Sequence, residues 1–332
     1  MSLERALALG QRVIIITGES FIPNVIKETS KLSASEKKRV VIIGEPAAKN
    51  TAPAVACAVV YSLYGIDRKN NKKRDMLVLT SDHIIKPFNV FKADAGLAAA
   101  AEKKLVVFGI PVQRPETGYG YIEIKNSKSK SENGIFTVNA FHEKPDEKTA
   151  KKYCSSGKYF WNSGMFAFDT CFMEEMFLSL EPDIYKCFIK LKEPKPDDYT
   201  ILKGVKILTS WKGLKTAYSK VKNISFDYAV AEKCESTAMV RAGFDWIDIG
   251  NWDEYIKICP AGVSQVFGSS AVNCHVDSDI PAALAGVEDL IVIIRMGKNG
   301  GPASALITKK GQTQKVRGII DEIKAAGRQD LL

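Results

Sequence analysis

The chain has 332 residues, 45% of them hydrophobic, and carries a formal net charge of +9. This composition excludes a disordered or collagen-like chain, and since no apolar stretch approaches the ~18 residues of a membrane-spanning helix, no membrane partner is expected. The seven cysteines contain no CxxC pair and the first residues have no signal-peptide pattern, which predicts a cytoplasmic protein without a disulfide scaffold or zinc ribbon.

The positive charge suits a polyanionic partner, such as a nucleic acid, an acidic lipid or a nucleoside triphosphate, and does not choose among them. The densest basic run, RKNNKKR at residues 68–74, lies between a helical pattern and a strand. Such a run is more often a solvated loop than a nucleic-acid surface, so no nucleic-acid partner is predicted. The three histidines are scattered, and any catalytic metal is therefore expected to be a hard cation held by carboxylates.

The first two thirds of the chain alternate short β-branched runs with helical patterns, which predicts an α/β fold with a Rossmann-like, mixed, mostly parallel sheet flanked by helices. The predicted strands are Arg12–Thr17, Arg39–Ile43, Met76–Leu79 and Leu105–Val112. The predicted helical segments are Ala52–Leu63, Phe88–Lys103 and Thr170–Leu202, the last with a Pro-broken loop at EPKPDD. Alternating runs at Tyr119–Ile124 and Ile135–Phe141 predict a hairpin around the loop KNSKSKSENG.

The chain changes character near Pro260. Gly243–Tyr255 predicts a strand, a glycine turn and a helix, whereas short apolar runs and Gly-rich turns follow Pro260 and end in an amphipathic helix at Gln314–Ala325. We therefore predict two domains, residues 1–258 and a small C-terminal β-rich segment at residues 259–332.

Polar side chains follow buried strands at three places. Asp82 in LTSDHIIK is predicted at the carboxyl edge of the sheet, where open α/β proteins bind ligands, and capping of a following helix is the alternative. Asn50 and Thr51 in EPAAKNTAP precede a helix whose N-terminus favours anions, and the alternative is again helix capping. Asp248 in DWIDIGNW is a second acid at a strand end, and two such carboxylates can share one Mg²⁺.

Three motifs in the middle of the chain carry groups that can contact a ligand. ETGYGY sets Gly120 beside Tyr119, so that the backbone can approach a ligand covered by the ring. FHEKP offers Glu143 as an acceptor for hydroxyls and Lys144 as a cation for phosphate, and WNSGMF places the amide of Asn162 in an apolar run. A glycine turn, an exposed ion pair and a backbone hydrogen bond are the ordinary structural explanations.

The ordered set LTSDHII, ETGYGYI, FHEKP, WNSGMFAF, SFDYAVAEK and WIDIGNW, preceded by EPAAKNTAP, resembles the sugar-nucleotidyltransferase superfamily and, within it, the mannose-1-phosphate guanylyltransferases. The resemblance runs from Glu4 to Tyr255 and resumes more weakly in LAGVEDLIVI and the last helix. It implies an enzyme that uses Mg²⁺, binds GTP and mannose 1-phosphate, and releases GDP-mannose and pyrophosphate. A homodimer is compatible with it.

The resemblance also implies roles for individual residues. It places the metal on Asp82 and Asp248, the sugar phosphate on Lys144, and the sugar on Gly120, Glu143 and Asn162. Asp227 of SFDYA falls at the edge of the site, and the segment against the base contains Asn50, Thr51 and Pro53. Catalysis would then consist of positioning and of charge neutralisation by Mg²⁺ and Lys144.

Two departures from the family pattern lead to further expectations. No GGxGxR motif, which in the family holds the triphosphate, occurs in the sequence, so we expect the chain as given to be inactive through N-terminal truncation while it keeps the sugar-phosphate half of the cleft. RMGKNGGPA at residues 295–303 predicts a remodelled C-terminal segment. Two alternatives stay open: a non-catalytic regulatory homologue that binds the sugar nucleotide, and a nucleotidyltransferase for another hexose 1-phosphate, such as glucose 1-phosphate with UTP or dTTP.

Overall fold

The computed structural model describes residues 2–66, 73–125, 134–191, 193–259, 266–297 and 303–328. Most of the basic run RKNNKKR, most of the loop KNSKSKSENG and the centre of RMGKNGGPA lie outside these residues. Contacts divide the chain into two compact units, Met1–Trp246 and Ile247–Leu332. None of the described helices is both long and apolar enough to span a bilayer.

The first unit alternates strands and helices along the chain. Its strands are β1 (Val13–Gly18), β2 (Val40–Glu45), β3 (Asp75–Val78), β4 (His83–Lys86), β5 (Leu105–Pro111), β6 (Tyr121–Ile124), β7 (Ile135–His142), β8 (Tyr159–Asp169), β9 (Tyr199–Leu202), β10 (Val205–Leu208) and β11 (Thr237–Arg241). Its α-helices are α1 (Ser2–Leu9), α2 (Ile22–Glu28), α3 (Ala34–Lys37), α4 (Thr51–Val60), α5 (Phe88–Ala99), α6 (Glu147–Ser156), α7 (Thr170–Leu180), α8 (Pro182–Phe188) and α9 (Leu214–Lys220). Strand β12 (Asp245–Asp248) follows at the boundary of the units.

Two sheets form the frame of the first unit. One has the order β1-β2-β10-β9, in which only β9 runs antiparallel to its neighbour, and the other has the order β3-β8-β5-β11-β7-β6 with an added pairing of β6 to β8. The predicted mixed α/β class is confirmed. The balance of directions differs from the mostly parallel sheet that was expected: β5 and β11 are the one parallel pair of the second sheet among the described residues, because the β6–β7 hairpin and the long antiparallel β8 supply the other neighbours.

Strand β2 shows why a continuous apolar run forms an inner strand. Val41 and Ile43 belong to one hydrophobic cluster, whereas Val40 and Ile42 belong to another. Since successive side chains of a strand point to opposite faces, both faces of β2 are buried and every one of these positions is apolar. The polar residues that follow β2 then come to the edge of its sheet, beside the start of α4.

The helical prediction for the segment Thr170–Leu202 was wrong at the C-terminal end of this segment. It contains α7 and α8, but its last residues form β9, which pairs with β10 in an antiparallel hairpin. Lys203 and Gly204 both have a positive φ, 51° and 83°, and Leu202 pairs with Val205 across them. A two-residue turn of this kind matches the twist of a hairpin and overrides the helical pattern.

The second unit is rich in strands, as predicted. Its elements are α10 (Trp252–Ile258), β13 (Val266–Ser269), β14 (His275–Ser278), β15 (Ala282–Ala285), β16 (Leu290–Arg295), β17 (Ser304–Lys309) and α11 (Val316–Ala325). Tyr255 Oη donates to Asp277 Oδ2 over 2.8 Å, and Thr313 Oγ1 donates to Asp253 Oδ2 over 2.6 Å. These bonds tie α10 to the C-terminal strands, so the observed boundary precedes this helix whereas the predicted one, near residue 258, follows it.

Candidate functional site

Three motifs meet at Gly120 because of the pairing of β6. Tyr121, the first residue of β6, pairs with His142 of β7 on one side and with Trp161 of β8 on the other. The preceding Gly120 therefore lies beside the residues that follow those two partners, Glu143 and Asn162. The backbone N–H of Asn162 donates to the carbonyl of Gly120 over 2.8 Å. A Cβ at position 120 would stand 2.5 Å from Glu143 Oε2, so only glycine leaves room for that carboxylate.

Asn162 has a fixed side-chain orientation. Its Nδ2 donates to Asp227 Oδ1 over 2.6 Å, and its Oδ1 accepts the backbone N–H of Gly164 over 3.0 Å. The backbone partner that would explain a polar residue in an apolar run is therefore present, together with a second partner from a distant motif. One N–H of the amide is left to point elsewhere. We call Gly120, Glu143, Lys144, Asn162 and Asp227 the Gly120 cluster.

Lys144 presents a cation beside the buried end of the cluster. Its Nζ lies 2.9 Å from Glu143 Oε1, and its side chain is 61% exposed whereas that of Glu143 is 17% exposed. The hydrogen bond from Lys144 to Glu143 raises the pKa of Lys144, which therefore stays protonated at neutral pH. Its φ of 44° lies in the left-handed region, which is uncommon for a residue with a side chain and clusters at functional sites.

Tyr119 is braced by aromatic neighbours. Its ring contacts those of Trp161 and Trp246 edge-on, with centroids 5.5 Å and 5.3 Å away. Trp161 and Asn162 are consecutive on β8, so their side chains lie on opposite faces of the strand. The turn before Tyr119 is held by Tyr121, whose hydroxyl accepts the N–H of Glu116 and donates to its carbonyl, both over 2.9 Å. The glycine turn is thus built rigidly on β6.

Asp82 lies in an exposed position between β3 and β4. Helix capping does not explain it, because a strand follows and the next helix begins at Phe88. The adjacent His83 is buried: Trp246 Nε1 donates to its Nδ1 over 3.1 Å, and Arg5 Nη2 donates to its carbonyl over 2.6 Å. Burial lowers the pKa of His83 to about 4, so the ring is neutral with its proton on Nε2. These roles of Trp246 and Arg5 were not predicted from the sequence, because a tryptophan alone is typical of a core position and an arginine alone is typical of a surface position.

The Asp82 carboxylate, between β3 and β4, suits a hard divalent cation. Asp82 offers exposed carboxylate oxygens, the ligand type that Mg²⁺ takes together with substrate phosphates. His83 is a poorer donor, since its Nδ1 already accepts from Trp246. Asp248, the last residue of β12, belongs to the second unit and is half-buried, and a Cβ at Gly250 would come 3.3 Å from its Oδ2.

The predicted base-binding segment begins α4. Asn50 is the N-cap, with a φ of 66° and its Oδ1 accepting the N–H of Thr51 over 2.9 Å, which confirms the capping explanation. Thr51 Oγ1 accepts the backbone N–H of Phe226 over 2.8 Å, and Pro53 is buried. These contacts order the start of α4 at the edge of the first sheet, and contact with a base stays a prediction.

Burial raises the pKa of the Asp227 carboxyl, and the hydrogen bond from Asn162 opposes that rise only in part. An acid whose pKa is raised on folding lowers stability as pH increases from its unfolded pKa through its folded one. We therefore expect Asp227→Asn to have a free energy of unfolding at pH 7 equal to or above that of the wild type, and the difference should shrink toward pH 4. Urea denaturation at both pH values measures it, and a variant that loses stability only at pH 7 would contradict this.

The chain matches a known protein family over most of its length. The Nucleotidyl transferase family matches residues 2–263. The chain belongs to this family. It is 33% identical over 334 residues to a mannose-1-phosphate guanylyltransferase of Salmonella montevideo, an alignment that covers 96% of this chain and 64% of the relative. It is 31% identical over 322 residues to the xanthan biosynthesis protein XanB of Xanthomonas campestris pv. campestris strain B100, with coverage of 92% of this chain and 63% of the relative.

The chain thus spans less than two thirds of the length of these nucleotidyl transferase relatives. Among solved structures, it is similar to one titled mannose-1-phosphate geranyltransferase from Thermus thermophilus, with a TM-score of 0.68, 22% identity, and coverage of 94% of this chain and 99% of that one. This likeness supports the nucleotidyl transferase fold. The family resemblance found in the sequence motifs is confirmed.

Proposed function

We propose that this nucleotidyl transferase acts as a mannose-1-phosphate guanylyltransferase, which forms GDP-mannose and pyrophosphate from GTP and mannose 1-phosphate. The observation that carries the proposal is the Gly120 cluster, in which a carboxylate and an amide lie beside a residue without a side chain, and an exposed ammonium lies beside the carboxylate. Hydroxyl-rich, phosphorylated ligands need this combination of acceptor, donor and cation. The name of the Salmonella montevideo relative supports the choice of mannose and guanine.

In the sugar half of the site, Glu143 Oε2 accepts a sugar hydroxyl over the open face of Gly120. The remaining N–H of Asn162 donates to a second oxygen of the sugar, and Tyr119 borders the site. Lys144 turns its ammonium from Glu143 toward the phosphate, since its side chain is 61% exposed and can change rotamer. Protonated at neutral pH, it offsets the negative charge of the attacking group.

In the nucleotide half, Asn50, Thr51 and Pro53 lie against the base, and Asp82 and Asp248 would hold Mg²⁺. The part of Asp248 in this proposal comes from the sequence resemblance. Bound there, Mg²⁺ would neutralise charge on the phosphates. A phosphate oxygen of mannose 1-phosphate forms the new bond to the α-phosphorus of GTP, and pyrophosphate leaves. Because the nucleophile is already an anion, the protein needs neither a general base nor a covalent intermediate, and its residues act by positioning.

A substrate matrix tests this proposal. Calorimetric titrations with mannose 1-phosphate and glucose 1-phosphate, and with GTP, UTP and dTTP, should show the highest affinities for mannose 1-phosphate and for GTP. Pyrophosphate release from GTP and mannose 1-phosphate, measured in parallel with Mg²⁺, tests for turnover. Equal or higher affinity for glucose 1-phosphate with UTP or dTTP would contradict the substrate assignment. Light scattering during the same titrations tests for the homodimer.

A further inference from the structure

A four-residue segment, Ile224–Asp227, is hydrogen-bonded to both halves of the proposed site. On the nucleotide side, the N–H of Phe226 donates to Thr51 Oγ1 over 2.8 Å, and the N–H of Ala52 donates to the carbonyl of Ile224 over 3.2 Å. On the sugar side, Asp227 Oδ1 accepts a hydrogen bond from Nδ2 of Asn162 over 2.6 Å. We call residues 224–227 the bridging segment.

The bridging segment is anchored firmly between these bonds. Phe226 is buried, and its ring contacts those of Phe166 and Phe168, with centroids 4.8 Å and 6.1 Å away. Both partners lie on β8, the strand that also carries Asn162. Closely packed side chains of this kind transmit a displacement to their neighbours, because a filled core has no free volume to absorb it. A shift of Thr51 therefore moves Phe226, and with it Asp227.

We propose that the bridging segment couples the nucleotide and sugar halves of the site, with Thr51 and Asp227 as positioning residues. Thr51 acts through the N–H of Phe226, and Asp227 acts through the amide of Asn162, whose remaining N–H it aims at the sugar. The inference rests on the proposed function, since it needs both subsites. Coupling of binding free energies is reciprocal, so each ligand tightens the binding of the other by the same factor.

The coupling predicts that replacing Thr51, on the nucleotide side, changes the affinity for the sugar phosphate, and that replacing Asp227, on the sugar side, changes the affinity for the nucleotide. Thr51→Val, which removes the acceptor of the Phe226 N–H at nearly constant size, is expected to weaken binding of mannose 1-phosphate about threefold to tenfold. Asp227→Ala is expected to weaken binding of GDP by a similar factor. For GDP-mannose, which carries both halves, the double variant should lose no more affinity than the worse single variant, because both changes interrupt one connection.

Conservative variants separate coupling from general damage. Thr51→Ser and Asp227→Asn keep the acceptor oxygens and should restore most of the affinity that Thr51→Val and Asp227→Ala lose. Thr200→Val, on β9, is the matched threonine-to-valine control. Calorimetry on the full chain gives the affinities, and thermal unfolding checks each variant. If a Thr51 variant does not fold, the two Asp227 variants still test the coupling. If an Asp227 variant does not fold, the two Thr51 variants test it.

Four results would overturn the inference. If the wild type binds neither mannose 1-phosphate nor GDP, the proposed function fails and the coupling fails with it. If the wild type binds both ligands but neither Thr51→Val nor Asp227→Ala changes the affinity for the opposite ligand, only the coupling fails. Losses for GDP-mannose that multiply in the double variant, or conservative variants as weak as Thr51→Val and Asp227→Ala, would likewise show that the two residues act separately.

Discussion

Alanine in place of Gly120 is expected to weaken the binding of mannose 1-phosphate about 10- to 100-fold while the fold stays intact. The new Cβ would stand 2.5 Å from Glu143 Oε2, which is too close for both to keep their places. The atom that must give way is the end of a flexible side chain, so the carboxylate swings aside at little cost to stability. The sugar then loses a charge-assisted hydrogen bond at the centre of the Gly120 cluster.

Calorimetric titration of Gly120→Ala with mannose 1-phosphate measures the loss. Gly96→Ala is the matched control, because a Cβ at this position of α5 meets no atom within 4 Å. Alanine inside a helix should leave the affinity unchanged and raise stability by about 0.5–1 kcal/mol. Wild-type affinity in Gly120→Ala would show that Glu143 Oε2 does not contact the sugar, and the assignment of this cluster would be wrong.

Continuous β-branched runs allowed the inner strands to be predicted closely. The observed bounds of β1, β2 and β5 differ from the predicted ones by at most two residues at either end. The hairpin of β9 and β10 was not predicted because its strands have only four residues each. In addition, the apolar Ile201 of β9 is 72% exposed, so the strand does not alternate between buried apolar and exposed polar residues. The signal of the hairpin was the pair Lys203 and Gly204, which is weaker than the Asn-Gly or Asp-Gly pairs typical of such turns.

The candidate site was predictable as a set of motifs and only in part as an arrangement. Glu143 and Asn162 could be recognised from FHEKP and WNSGMF, but their meeting at Gly120 depends on β6 pairing with two strands at once. The contact between Asn162 and Asp227 joins residues 65 positions apart, and that between Thr51 and Phe226 joins residues 175 positions apart. Such long-range contacts follow from tertiary packing, which no local pattern reports.

Trp246 is a candidate functional residue that the sequence alone does not identify. Its indole donates to His83 and its ring contacts Tyr119, so it links the strand edge at Asp82 with the glycine turn. In the sequence it is one tryptophan between Asp245 and Ile247 on a predicted strand, where packing against the core is the ordinary expectation for a large apolar side chain. The hydrogen bond becomes visible only when β4 and the chain near residue 246 are placed together.

Asparagine in place of Asp82 is expected to weaken the binding of a divalent cation by at least about 10- to 100-fold in the presence of GDP-mannose. The substitution keeps the shape of the side chain and one oxygen, but it removes the negative charge that a hard cation requires. Because Asp82 is exposed, its replacement should change the free energy of unfolding by less than about 0.5 kcal/mol. Loss of cation affinity with retained stability would therefore come from the site itself.

Mn²⁺ is a suitable probe, since electron paramagnetic resonance measures its free concentration directly. Asp75→Asn is the matched control, because Asp75 is an exposed aspartate at the start of β3, the strand that precedes Asp82. Asp248→Asn should match Asp82→Asn if both carboxylates hold one ion. Unchanged Mn²⁺ affinity in Asp82→Asn would remove this residue from the metal site. Unchanged affinity in Asp248→Asn alone would leave Asp82 as the ligand, with the remaining positions around the ion filled by phosphate oxygens and water.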